Sequence, residues 1–149
     1  ISHDLKNDRE FDHIDFSLAI KAVIQPLSDL GVKTDINYIN PFSWSTIPTS
    51  VKVELFRILQ ESVTNSIKYA QAHTFTVEFN LEDSLFTMFI QDDGKGFDMS
   101  NSSKGIGLKN MKERAKYING EFYLNSGIGK GTSVKLTFPL EKAIEEELV

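Results

Sequence analysis

The chain has 149 residues, 40% of them apolar and 25% charged, the make-up of one globular domain with a sizeable core. Its net charge of −5 gives no general attraction to nucleic acid or anionic membrane. With no cysteine, disulfide scaffolds and thiol-based metal or redox chemistry are excluded, and no apolar run approaches the roughly 18–20 residues of a membrane span.

Residues 1–15 are polar and charged and read as a linker. There is no initiator methionine and no signal peptide, so Ile1-Ser2-His3-Asp4 reads as the start of a piece of a longer protein, with room for a membrane segment outside it. Phe16, Ile20, Val23, Ile24 and Leu27 recur at helical spacing over 16–30. Pro26 is expected to kink or shorten that helix, and Gly31 to stop it. Val32–Ile39 alternates and predicts a short strand; 40–50, with two prolines, predicts a loop. Thr49 or Ser50 can cap a long helix reaching about Ala70. Its apolar stripe is Phe56, Leu59, Val63, Ile67 and Ala70, within about 80° of arc at 100° per residue. Glu61, Asn65 and Lys68 fall within about 60° of one another on nearly the opposite side, where they can meet one ligand together.

Phe75, Val77, Phe79 and Leu81 alternate with polar residues, a half-buried strand. The turn Glu82-Asp83-Ser84 leads to a second strand, 85–91, which delivers Asp92 at its end. Phe97 to Lys104 is a short polar loop whose composition predicts mobility. Leu108, Met111, Ala115 and Ile118 mark a third helix, stopped by Asn119-Gly120. Glu121–Asn125 and Thr132–Leu140 are two more strands around Gly127-Ile128-Gly129-Lys130-Gly131. Hairpin pairs of strands with helices between them predict an α+β sandwich, a mixed sheet with about three helices on one face.

Three segments carry chemistry. Asp92, ending an apolar strand, is a carboxylate short of water and in need of a donor; the exocyclic amine of adenine is one, and a carboxylate there selects against the guanine carbonyl. Alone, Asp-Asp-Gly after a strand is equally ordinary hairpin chemistry. Gly94 and Gly96 allow positive φ and close approach of a planar ring, or simply a loop. Gly105 and Gly107 precede a helix whose unpaired N–H groups and partial positive charge suit phosphate; a flexible hinge is the alternative. Glu61 and Asn65 offer hard oxygen ligands of the kind magnesium takes, Lys68 can neutralise phosphate, and Glu61 can orient or deprotonate an attacking group. A solvated helix face explains these three equally well. The conjunction, in fixed order within about fifty residues, is what points to a nucleotide. His3, His13 and His73 have no metal-ligand spacing, and Phe42 and Trp44 read as local packing.

Gln60-Glu61-Ser62-Val63-Thr64-Asn65-Ser66-Ile67-Lys68-Tyr69-Ala70 resembles the asparagine box of two-component sensor histidine kinases. Asp92-Asp93-Gly94-Lys95-Gly96-Phe97 resembles their first glycine box, and Gly105-Ile106-Gly107-Leu108-Lys109-Asn110-Met111-Lys112-Glu113-Arg114 the second, in the wording of the nitrate-sensor and thermosensor subfamily. Gly127-Ile128-Gly129-Lys130-Gly131-Thr132 resembles the closing element. The resemblance covers roughly residues 15 to 140 and implies the Bergerat (GHKL) ATP-binding fold. It implies ATP and Mg2+ as cofactors, with Asn65 and Glu61 at the metal, and Lys68 near phosphate. It puts Tyr69 near the adenosine, where histidine is commoner, and Asp92 on the adenine amine. Gly94 and Gly96 would shape the base pocket, Lys104, Gly105, Gly107 and Leu108 the phosphate-side lid, and Thr132 the adenine end. Asp93 stands where asparagine is frequent.

The same resemblance makes 1–15 the linker from a missing dimerisation and phosphoacceptor domain, 16–141 the catalytic ATP-binding domain and 142–149 a C-terminal tail. Only 12 residues separate His3 from Phe16, too few for the two helices of about 20 residues that follow a phosphoacceptor, so His3 belongs to the linker. The expected protein is the cytoplasmic part of a membrane-anchored bacterial sensor, a homodimer when whole and a monomer as this domain. Its partners would be ATP, its own phosphoacceptor domain and a response regulator, with no nucleic acid. The alternatives are a serine kinase or ATPase on the same fold, of the anti-sigma-factor kinase type, and a non-catalytic nucleotide-binding module.

Overall fold

The computed structural model describes residues 15–100 and 107–141. Helix α1 spans Phe16–Asp29, strand β1 Lys33–Tyr38, and a 3-10 turn Trp44–Thr46. Helix α2 spans Thr49–Asn65 and widens into a π-helical turn, Ser66–Ala70. Strands β2 (Thr74–Glu82) and β3 (Leu85–Asp92), helix α3 (Leu108–Tyr117), and strands β4 (Glu121–Ser126) and β5 (Thr132–Pro139) complete the chain. The sheet order is β1-β2-β3-β5-β4. Strand β1 runs parallel to β2 and every other neighbouring pair is antiparallel, so the sheet is mixed.

Period-two alternation decides which face is covered. Phe75, Val77 and Phe79 of β2 are buried with Phe86, Met88 and Ile90 of β3 and Val134, Leu136 and Phe138 of β5. Their polar alternates, among them Thr76, Glu78 and Thr137, lie on the other face. The apolar face meets Ile20, Ile24 and Leu27 of α1, Leu55, Ile58 and Leu59 of α2, and Met111 and Ala115 of α3 in one core. The architecture is α+β, one sheet with three helices on a single face, as expected. At the Phe79–Phe86–Phe138 end the core closes with rings. Trp44 packs edge-on against Phe16, Phe42 and Phe79 at centroid distances of 4.6, 4.9 and 5.0 Å, and its Nε1 donates to the Tyr38 hydroxyl at 2.9 Å. The loop expected at 40–50 is thus a lid on the core at the end away from Asp92.

Several local expectations are corrected. Asp15, the last residue of the expected linker, also caps α1, its carboxylate accepting from the Ser17 amide at 3.0 Å. Pro26 neither shortens nor ends α1, which runs three residues further before Gly31 takes φ +90°. At α2, Pro48 occupies the N-cap position, and no side chain caps the first turn. The largest difference concerns the face that α2 buries. Ile67, assigned to the apolar stripe, is exposed, while Leu55, Ile58, Ser62 and Ser66 are buried. At 100° per residue the buried face is rotated by roughly 80° from the predicted stripe, towards Asn65. Long-range partners cause this: Lys52 and Glu54 are buried too, Lys52 Nζ donating to the Trp44 carbonyl at 3.4 Å and Glu54 pairing with Arg114. The π-helical turn also breaks the 3.6-residue phase after Asn65, which a strict α-helical projection cannot foresee.

Candidate functional site

Strand β3 ends in a carboxylate because its inward positions alternate Phe86, Met88, Ile90, Asp92, so the period that buries three apolar side chains buries the fourth as well. Asp92 is 8% exposed. Its Oδ1 accepts from the Gly94 amide at 2.9 Å and the Thr132 amide at 3.3 Å. Among the described residues Oδ2 has no hydrogen-bond partner. Burial pushes the Asp92 carboxyl above the usual carboxylate range, against the pull of those two amides.

A cavity of about 180 Å3 opens beside it. Apolar walls come from Ala70, Phe75, Ile90, Leu108, Met111, Leu124 and Val134, and the polar lining from Ser62, Asn65, Tyr69, Asp92 and Thr132, with Gly96 and Phe97 at the loop. An apolar slot with one carboxylate at its end suits a flat heterocycle with a single polar edge.

The glycine loop is held against neighbours on three sides. The Lys95 amide donates to the Ala70 carbonyl and the Gly129 amide to the Lys95 carbonyl, each at 2.6 Å, and the Phe97 amide donates to Ser126 Oγ at 2.9 Å. Gly94 does not have the positive φ expected of it; a Cβ there would overlap the Ala70 carbonyl. Gly96 has φ +63°, and a Cβ there would run into the Gly127 and Gly131 carbonyls. Both glycines therefore answer first to packing of backbone on backbone. Asp93, read only as a departure from a motif, has a structural task. Its Oδ1 accepts from the His73 and Thr74 amides, each at 2.8 Å, which holds its carboxyl below the usual range and staples the end of β3 to the start of β2.

Sequence reasoning missed Asp93, Ser126 and the Glu54–Arg114 pair. Ser126 also lies 2.9 Å, Oγ to Oγ1, from Thr132, so one hydroxyl ties the first glycine loop to the closing one. The only available signal was its place at the end of an alternating strand, facing Thr132 across a hairpin.

Asn65 ends α2 and lines the cavity; Tyr69, one turn on, lines it too and is half exposed. Lys68 is exposed on the π-helical turn and does not line the cavity, so the expected triad of Glu61, Asn65 and Lys68 is only partly assembled. Glu61 is half-buried against α3: a Cβ on Gly107 would overlap its carboxylate oxygen. Gly107, at φ +73°, stands at the α3 N-cap, where no side chain caps the helix, and Leu108 begins the helix at the cavity wall. Lys104 and Gly105, with the second half of the expected 97–104 lid, lie outside the described residues.

No group of three or more His, Asp or Glu side chains among the described residues can hold a metal by itself. Asn65 and Glu61 offer two oxygen donors four residues apart on α2, too few for a protein cage but a donor set of the kind magnesium accepts when other ligands complete its shell.

A family model described as "Histidine kinase-, DNA gyrase B-, and HSP90-like ATPase" matches residues 50–142. Sensor protein VraS of Staphylococcus aureus is 33% identical over 115 residues, and that of Staphylococcus epidermidis 36% over 116. Each match takes in 76% of this chain and 33% of the relative, so the chain spans about a third of the length of those relatives. The histidine kinase domain of the Erythrobacter litoralis EL346 blue-light-activated histidine kinase superposes with a TM-score of 0.71 at 14% identity, over 87% of this chain and 63% of that one. The catalytic domain of histidine kinase ThkA superposes with a TM-score of 0.64 at 11% identity, over 87% and 96%. At these identities the two structures speak for the fold alone.

Proposed function

The chain belongs to the histidine kinase-, DNA gyrase B- and HSP90-like ATPases, as an ATPase domain of the sensor-kinase kind, and from this we propose that it binds Mg–ATP and passes the γ-phosphate to a histidine on another domain. The single observation that carries the reading is the buried Asp92, fixed through Oδ1 by two amides at the end of an apolar cavity, with Oδ2 left for a donor.

In this reading the adenine amine donates to Asp92 while Phe75, Ile90, Met111 and Val134 sandwich the ring. Tyr69 covers the adenosine from the open side. The triphosphate lies along the start of α3, whose first amides lack partners from a cap. Magnesium, when bound through Asn65 and Glu61, would supply charge neutralisation at the phosphates. Lys68, exposed on the π-helical turn, and Lys104, by its place in the sequence motif, are assigned to supply further positive charge to the phosphates. An incoming imidazole nitrogen forms the new N–P bond as the bond from the γ-phosphorus to the bridging oxygen breaks, and ADP leaves. The protein's part is alignment and charge balance, with Glu61 orienting the imidazole through its N–H.

The acceptor histidine belongs to a separate dimerisation domain, and the phosphoryl group then passes to a response-regulator aspartate. We assign 1–15 to the linker from that domain, 16–141 to the catalytic domain and 142–149 to a tail. The matched relatives are named sensor proteins, which supports a place in a membrane-anchored bacterial sensor with this part in the cytoplasm. Among the described residues no helix is long and apolar enough to cross a membrane.

Reconstitution with a dimerisation domain from a matched relative tests the proposal. Wild type transfers phosphate from ATP, and the product is acid-labile, as phosphohistidine is; Asn65→Asp and Glu61→Ala abolish transfer. An acid-stable product would make the chain a serine kinase. Wild-type rates in both variants would remove those two residues from the mechanism.

A further inference from the structure

Arg114 of α3 reaches sixty residues back along the chain: its Nη1 donates to Glu54 Oε1 of α2 at 2.8 Å. Glu54 is 2% exposed, so this carboxylate is out of water. Seven residues along each helix lies the other close approach between them, Gly107 against the Glu61 carboxylate. Seven residues are two turns, about 10.5 Å. The pairs 54–114 and 61–107 run in opposite senses, so the helices are antiparallel and share one register. Near the Gly107 end the two helices also meet through a soft contact, Ser62 Oγ to Met111 Sδ at 3.7 Å.

A buried ion pair is a weak source of stability, because desolvating both charges consumes most of the attraction. What it supplies is direction. An apolar interface tolerates sliding, whereas a guanidinium must meet its carboxylate at one place. We propose that the Glu54–Arg114 pair sets the longitudinal register of α3 on α2, and so presents the α3 N-terminus to the triphosphate beside Glu61. Arg114 and Glu54 are then positioning residues for the phosphate end of the site. A slip of one turn would carry Gly107 about 5.4 Å from Glu61. The base end depends less on this register: Asp92 accepts from the Gly94 and Thr132 amides and Lys95 donates to the Ala70 carbonyl, so α3 contributes only Leu108 and Met111 to its wall. The inference rests on the nucleotide reading above.

Its test compares two ligands on the 149-residue chain: Mg–ATP by calorimetry and adenosine by NMR chemical-shift titration. Arg114→Met should weaken Mg–ATP about ten-fold, the scale of a helix terminus acting on an anion, and adenosine less than two-fold. Because Arg114→Met removes the guanidinium partner of a buried carboxylate, the double variant Glu54→Leu/Arg114→Met is measured beside it. The double variant should regain thermal stability yet keep the ten-fold Mg–ATP defect. Recovery of both properties together, equal losses for both ligands, or wild-type Mg–ATP affinity in Arg114→Met would each overturn the register role. A wild-type chain that bound neither ligand would instead overturn the nucleotide reading, and this inference with it.

Discussion

Asp92→Asn separates the cost of burying a charge from its use. In the free protein the substitution is nearly isosteric, and the amide oxygen can keep accepting from the Gly94 and Thr132 amides that now bond Oδ1. Burial raises the wild-type carboxyl above its unfolded value of 3.8, so its ionisation works against folding. That cost is absent below pH 3.8 and grows as pH rises through the raised folded value. Asp92→Asn should therefore be as stable as wild type or slightly more so at neutral pH, with the difference vanishing in acid. Binding should go the other way. Where Oδ2 accepts from the adenine amine, the variant presents an NH2 group, so a buried charge-assisted hydrogen bond becomes donor against donor. Such a loss is about 2–3 kcal/mol, or roughly 30- to 150-fold in Kd. The same NH2 faces the guanine carbonyl favourably, so the ATP-to-GTP preference should fall further than ATP affinity does. Calorimetry with both nucleotides, beside urea melts at pH 3 and 7, measures all of this. Unchanged ATP affinity in a folded Asp92→Asn protein, or no relative gain for GTP, would refute the assignment of Asp92 to the base.

Gly96→Ala combines left-handed φ with overlap on two carbonyls and should cost about 3 kcal/mol, whereas Gly31→Ala, left-handed in open space, should cost about 1–2; equal losses in urea melts would contradict the packing account. Trp44→Ala should cost about 3–5 kcal/mol by emptying the ring cluster, while Mg–ATP affinity stays within two-fold, because that cluster lies at the far end of the sheet; a parallel loss of affinity in calorimetry would tie the two ends together. Asp93 has its carboxyl lowered by the His73 and Thr74 amides, so it adds stability above pH 3.8 that is lost as pH falls through the lowered value. The deficit of Asp93→Ala against wild type in urea melts should thus shrink below pH 3.8; a constant deficit would assign its role to packing alone.

Strands were legible wherever one face is wet and the other dry. The alternation Phe75, Val77, Phe79 and Phe86, Met88, Ile90 located β2 and β3 and placed Asp92 inside. Helix α3 was legible because Gly107 and Asn119-Gly120 punctuate it at both ends. What failed was α2, whose buried face includes Lys52, Glu54 and Ser62, polar residues that count as surface until Trp44, Arg114 and Met111 arrive from elsewhere in the chain. The parallel pairing of β1 with β2 depends likewise on a crossover through α2 that no local pattern encodes. At the site, residue types and order were readable, but not the backbone contacts that make glycine obligatory. Ala70 beneath Gly94 and Gly131 beneath Gly96 are partners from distant segments.

The most direct measurement is a crystal structure of this chain with magnesium and a non-hydrolysable ATP analogue. The account predicts the adenine amine within 3.2 Å or so of Asp92 Oδ2, and Asn65 Oδ1 bound to the cation, as hydrogen-bond and magnesium geometry require. A nucleotide seated elsewhere, or one in this cavity with Asp92 turned from the ring and Asn65 remote from the metal, would contradict it.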